Sequence, residues 1–515
     1  MRKGSLIFLI ALIPLATMFA DGDKRIMEGL SMHSAILGQE IKYTIVLPPG
    51  YERASKNYPV VYLLHGLGDN ESSWLEYGRI AQIADQAVAE KEIVPMIFVM
   101  PQGFRNYYVN DFAGTFLYED MFVKELVPFI DSRYNTIPDS RHRAVMGYSM
   151  GGFGALILPA LHPDVFSVSV PLSISVRTDE QYMTEDASEW NEQWGRLFGG
   201  VGTIGQERLT EHYKKYSPFH FFRQGDPGRF VDLRLFIDNG DDEHTLCRSN
   251  EELHILLRDL HLLHEYRVRN GGHEFSYWRS ALPNALRFIS DSFGGKPYRG
   301  DIPNADKKSR YPRPDIQDRG KYMITYPPGY TVASRQYPTI YMFGDMEYSR
   351  IQAITGLAHQ GMNEGKLPPL ILVFLNENEK DLVNQIIPEL ESGSNARSGY
   401  RFRALIGFEE GGVAALQYAL MPETFTSCTL FDAPVDTSLL REALTVNKPA
   451  MKKTWLLISN TDNDMDYTSN GQAHILLRDE DMYHEYRVVE GGRDVQVSNE
   501  RLTEAFNFTS EKIHR

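Results

Sequence analysis

At 515 residues, 42% of them hydrophobic and 23% charged, the chain is long and apolar enough for two or more domains with substantial cores, and disorder is excluded as its general state. The formal net charge is −15, with acidic residues spread along the chain, and such a surface repels phosphate backbones and anionic lipid heads, which argues against nucleic acid as a partner. Cys247 and Cys428, the only cysteines, fall in different halves of the chain, which argues against a structural disulfide.

In chain order, Arg2 and Lys3 precede an apolar run from Leu6 to Leu15 and then small and mixed residues to Ala20. This is the pattern of a secretory signal, residues 1–20, and it predicts a secreted or periplasmic protein without stable membrane association once the segment is removed. The run is short for a membrane span, and no cysteine follows it to carry a lipid anchor.

Next come short apolar runs bounded by turn residues: Val60–Leu64, Met96–Met100, Ala144–Gly147, Phe166–Val170 and Leu233–Asp238. They alternate with stretches of helical spacing at Tyr118–Ser132, Gly152–His162, Asn250–Leu260 and Tyr277–Phe293. Strand alternating with helix predicts an α/β fold, a mostly parallel sheet covered by helices on both faces.

Ser149 lies in "GYSMGG", between a predicted strand and a predicted helix. Glycines at both flanks of a GxSxG turn let the serine take a strained conformation and stand clear of the backbone, while the following helix aims its first amides at developing negative charge. Met150, directly after the serine, is therefore one expected oxyanion donor. His273, in "NGGHEFSYW", sits in a glycine-supported loop after the strand "HEYRV", where the edge of an open sheet binds ligands. Asp241, Asp242 and Glu243 share the loop "FIDNGDDEH", so the order along the chain is serine, acid, histidine. Any of the three carboxylates fits that loop. His254 and His264 recur in the second half of the chain and read as structural.

Together "YPVVYLLHGLGDNESSW", "MPQG", "GYSMGGFGAL", "IDNGDDE" and "GGHEFSYW" resemble the esterase D / feruloyl esterase family of α/β-hydrolases over nearly all of residues 35–295. The resemblance implies a serine carboxylic-ester hydrolase with Ser149 as nucleophile and His273 as base. It places the acid three residues after Gly240, at Glu243 where the family usually has aspartate, with Asp242 as the alternative. It adds Leu67 of "HGLG" as the second oxyanion donor.

The chain then repeats itself. "RAVMGYSMGGFGAL" (143–156) returns as "RALIGFEEGGVAAL" (403–416), "KYTIVLPPGY" (42–51) as "KYMITYPPGY" (321–330), and "HILLRDLHLLHEYRVRNGGH" (254–273) as "HILLRDEDMYHEYRVVEGGR" (474–493). Two copies at so long a period indicate a duplicated globular domain and not a solenoid. The expected organisation is a catalytic domain over 21–295, a linker rich in Gly, Pro and charge over 296–316, and a second α/β-hydrolase domain over 317–515. In that domain Ser149 becomes Glu409, Glu243 becomes Asn463, His273 becomes Arg493 and His65 becomes Gly344, which predicts loss of acyl-transfer chemistry. Glu409 reads as a surface carboxylate or as one paired with Arg493.

Between Ile174 and Phe222, Trp190, Trp194 and Phe198 at helical spacing read first as packing residues, although aromatic rings over a site also suit a flat ring or a sugar. An exported, acidic chain of this resemblance is expected to remove feruloyl or acetyl groups from plant cell-wall xylan or its oligosaccharides. A siderophore esterase, an acyltransferase, and a carbohydrate-binding protein led by its second domain are the competing expectations. No cofactor or metal is expected.

Overall fold

The computed structural model describes residues 25–51, 56–224, 227–303, 314–330, 336–376, 379–491 and 497–513. The expected leader, residues 1–20, and Arg493 lie outside the described residues. Among the described residues no helix is long and apolar enough to cross a membrane.

Two eight-stranded sheets form. The first uses β1 (Ile26–Ser34), β2 (Gln39–Val46), β3 (Val60–Leu64), β4 (Ile97–Pro101), β5 (Arg143–Tyr148), β6 (Val168–Leu172), β7 (Arg234–Gly240) and β8 (His264–Arg269), ordered β1-β2-β4-β3-β5-β6-β7-β8. The second uses β9 (Ile316–Asp318), β10 (Tyr322–Thr325), β11 (Thr339–Phe343), β12 (Ile371–Leu375), β13 (Arg403–Phe408), β14 (Ser427–Phe431), β15 (Trp455–Thr461) and β16 (His484–Val489), in the same permutation. In each sheet the first two strands join antiparallel and the rest run parallel. The duplication seen in the sequence is therefore a duplication of topology.

β3 is buried along its whole length because helices cover both faces of the sheet. Alternate side chains divide between two cores: Val60, Tyr62 and Leu64 meet the layer holding the Met150–Leu161 helix, whereas Val61 and Leu63 meet the layer holding the Phe275–Phe293 helix. The five predicted strands are all present, shifted by two residues at most. β1 escapes the sequence pattern because it is an edge strand, mostly half-exposed and bulged between Met27 and Leu30, so its apolar residues do not alternate.

Both ends of the expected linker belong to the flanking domains. Tyr298 packs edge-on against Phe236 and Phe288, Asp301 accepts from Arg267 and Ile302 is buried, so residues 296–302 of the expected linker fold back onto the first sheet. Ile316 already belongs to the second sheet. The β6–β7 connection, residues 173–233, is a helical insertion whose centre is aromatic: Trp190, Trp194 and Phe198 are buried, and the last two stack at 6.1 Å and 6°. The equivalent β14–β15 connection of the second copy is shorter, a helical stretch Thr437–Met451 kinked at Asn447.

Candidate active site

The turn after β5 holds Ser149 at φ 57°, ψ −120°, a conformation that costs free energy for any residue with a Cβ. The flanking glycines make it attainable. A Cβ on Gly147 would lie 2.2 Å from the Gly151 carbonyl oxygen, and one on Gly151 would lie 2.2 Å from that of Leu64. The turn is tied down by the Ser149 N–H donating to the Leu172 carbonyl at 3.0 Å and by the Ser175 N–H donating to the Ser149 carbonyl at 3.1 Å. The helix Met150–Leu161 starts at once, so the Met150 amide is among the first-turn N–H groups that have no acceptor within the helix.

The three acidic candidates separate by burial. Asp241 and Asp242 are exposed, whereas Glu243 is buried at 4% exposure. Glu243 Oε2 lies 2.9 Å from His273 Nδ1, and its Oε1 accepts from the Gly240 N–H at 3.1 Å and from the Ser173 hydroxyl. A buried carboxylate can only accept in these contacts, so the imidazole carries its proton on Nδ1 and presents the Nε2 lone pair. Asp241 instead accepts from the Gly271 N–H at 2.9 Å and binds the two loops together.

Ser173 was not singled out by sequence. Its hydroxyl donates to Glu243 and accepts from Trp278 Nε1 at 2.8 Å, and the Trp278 ring lies edge-on to His273 at 5.1 Å. Three segments, at residues 173, 240–243 and 273–278, thus fix one imidazole, and no local spacing announces such a network.

His65, in the "HGLG" loop, is buried and accepts from the Gly103 N–H through Nε2 at 2.7 Å, which leaves Nδ1–H to donate to the Gly66 carbonyl at 2.8 Å. Burial pushes its pKa down to about 4, so it stays neutral and holds one tautomer. It braces the loop that carries Leu67.

Ser149, His273 and Leu67 open onto a cavity of about 1110 Å³. Its far wall comes from the helical insertion, including Trp194, which both packs and lines the site. Arg177 lies 4.8 Å over the Trp194 ring, and the Tyr107 hydroxyl contacts Ser175 and Gln193 at 3.1 Å each.

The second copy keeps the turn and loses the groups. Glu409 has φ 52°, and a Cβ on Gly411 would still lie 2.5 Å from the chain after β11. The Glu409 carboxylate pairs with Arg350 at 3.7 Å. Asn463, the counterpart of Glu243, is exposed. Asp432, like Ser173, follows its strand with φ 47°, and it forms a buried ion pair with Arg501 at 2.8 Å. His254–His264 and His474–His484 make the same contact in both copies, at 2.8 and 2.7 Å, which accounts for their recurrence.

Known proteins resemble the first copy. Residues 34–289 match the Esterase family model. The endo-1,4-beta-xylanase/feruloyl esterase of Xylanibacter ruminicola is 36% identical over 129 residues, which make up 24% of this chain and 18% of that protein. The acetyl esterase of Caldicellulosiruptor saccharolyticus is 24% identical over 244 residues, 46% of this chain and 85% of that protein. Among solved structures a ferulic acid esterase, 30% identical, aligns over 53% of this chain and 100% of its own, with a TM-score of 0.45. The chain spans less than a fifth of the xylanase's length. Through residues 34–289 this chain belongs to the esterase family, and both of its copies have the α/β-hydrolase architecture.

Proposed function

We propose that the protein is an exported serine carboxylic-ester hydrolase that removes feruloyl or acetyl groups from plant cell-wall xylan or its oligosaccharides. The observation that carries this reading is buried Glu243 paired with the exposed His273 ring, which opens onto the same cavity as Ser149, itself held in a left-handed turn. His273 Nε2 takes the Ser149 proton as Oγ attacks the ester carbonyl. The Met150 and Leu67 amides hold the oxyanion. Collapse breaks the bond to the alcohol oxygen, which leaves with the proton from His273, and water then attacks the acyl-enzyme with His273 again as base. Glu243 stabilises the imidazolium in both halves.

The xylan assignment draws on the relatives named feruloyl and acetyl esterase and on the size and aromatic wall of the cavity. The second copy is read as inactive in acyl transfer, since Glu409 and Asn463 supply neither nucleophile nor buried acid. The test is release of ferulate from methyl ferulate and from feruloylated arabinoxylan fragments, comparing the intact protein with Ser149→Ala. Loss of at least about a thousandfold in the variant is expected. Hydrolysis that survives the substitution would overturn the mechanism. Release of acetate but no ferulate would move the substrate to acetylated xylan.

A further inference from the structure

A second cavity, of about 350 Å³, meets the large one at Leu67, Ser149 and His273. Part of its wall, Gly365 and Lys366, comes from the second copy. That contribution is built and not incidental. The second-copy helix Tyr348–Glu364 ends here, and a helix C-terminus leaves carbonyls without intrahelical donors and a partial negative charge. Two guanidinium groups of the first copy meet that end. Arg279 donates to the Met362 carbonyl at 3.3 Å and to that of Asn363; Arg79 donates to the Met362 carbonyl and, at 3.3 Å, to Asn363 Oδ1. Gly365 then turns the chain with φ 78°, and a Cβ there would lie 2.9 Å from Arg279 and 3.0 Å from Phe275, so the close approach of the copies requires glycine. The turn delivers Lys366 to the mouth of the cavity.

We infer that the second copy completes the active site: its Gly365–Lys366 turn, clamped by Arg79 and Arg279, forms a subsite for the hydroxyl-rich alcohol half of the ester. This rests on the catalytic reading above. Besides Ser149 and His273, the small cavity is lined by the Asp69 carboxylate, which accepts from the Tyr148 hydroxyl at 2.7 Å, the Glu274 carboxylate and the Lys366 ammonium, beside the Tyr77 ring. Carboxylates accept from sugar hydroxyls and an ammonium donates to them, and the mixture of signs disfavours a simple anion. Lys366 pairs with Glu364 at 3.1 Å but is 62% exposed, so that pair is weak and yields to a ligand. The large cavity, walled by Phe104, Phe116 and Trp194, takes the acyl half.

The test compares kcat/KM for a feruloylated arabino-oligosaccharide with that for methyl ferulate, in the full-length protein. In Lys366→Glu, and in the double variant Arg79→Ala with Arg279→Ala, the ratio is expected to fall at least fivefold, mainly through KM for the oligosaccharide. Lys448→Ala, in the second copy and paired with Glu480, is the control and keeps the wild-type ratio. An unchanged ratio in both test variants, with thermal melts confirming that they are folded, overturns the subsite while leaving the catalytic reading intact. If the intact protein cleaves neither ester, the catalytic reading falls and takes the subsite with it.

Discussion

Glu243 and Asp242 are adjacent acids in one loop, and burial gives them different chemistry. Glu243 holds the His273 Nδ1 proton from a pocket closed by Ser173 and Gly240, whereas Asp242 faces solvent at the cavity's rim. Glu243→Gln is therefore expected to lower kcat on methyl ferulate about 10³–10⁴-fold, because an amide can hold the wrong tautomer. Asp242→Asn is expected to change it less than threefold. Equal losses in steady-state assays of the two variants would refute the assignment. Ser149 and His273 were legible in the sequence because each sits in a local motif whose glycines are visible. The rest of the site was not: Ser173 and Trp278 meet Glu243 and His273 only because β6 and the Phe275–Phe293 helix converge on one sheet edge. Glu409 pairs with Arg350, which no flanking repeat pointed to, while Arg493 lies outside the described residues.

Among the elements, the strand-turn-helix unit after β5 has the least tolerance. Gly151→Ala puts a methyl against the β3 backbone at Leu64, where no flexible side chain is available to move. A cost above about 3 kcal/mol is expected, read as a fall of roughly 6–12 °C in melting temperature or as loss of soluble protein. Gly295→Ala is the contrast; nothing lies within 4 Å of its Cβ position, and only its φ of 63° resists the change. The parallel strands were readable because burial on both faces writes an unbroken apolar run. β1 was not, since an edge strand with half-exposed residues carries a weak signal. The helical insertion between β6 and β7 was visible only as aromatic spacing, and that spacing served the hydrophobic core first and the cavity wall second.

Across the whole molecule, buried neutral histidines set the acid limit of stability. Burial lowers both His65 and His359 from 6.5 to about 4, and the nearby Arg79 charge adds to the effect at His359. Below 6.5 the unfolded chain takes up protons that the folded protein refuses, so stability is full above pH 6.5 and falls as pH drops toward 4, by up to about 3 kcal/mol for each group. Melting temperature is expected to decline steadily from pH 7 to pH 4.5, and His359→Leu should flatten that slope; an unchanged slope would remove His359 from the account. The equal strand order of the two sheets emerged only in the structure, whereas the duplication was evident from sequence. The union of the copies at the Tyr348–Glu364 helix end was not, because Arg79 and Arg279 lie some 280 and 80 residues from the carbonyls they reach.

The Trp278 indole is sandwiched between Tyr148, stacked at 4.0 Å, and the edge of His273 at 5.1 Å. A protonated imidazole at that range quenches indole emission, and a neutral one does so far less. The protein therefore carries its own optical gauge of the His273 charge. With Trp278→Phe as the blank for the other four tryptophans, a fluorescence titration would read the protonation of that imidazole in the resting protein, with no substrate added.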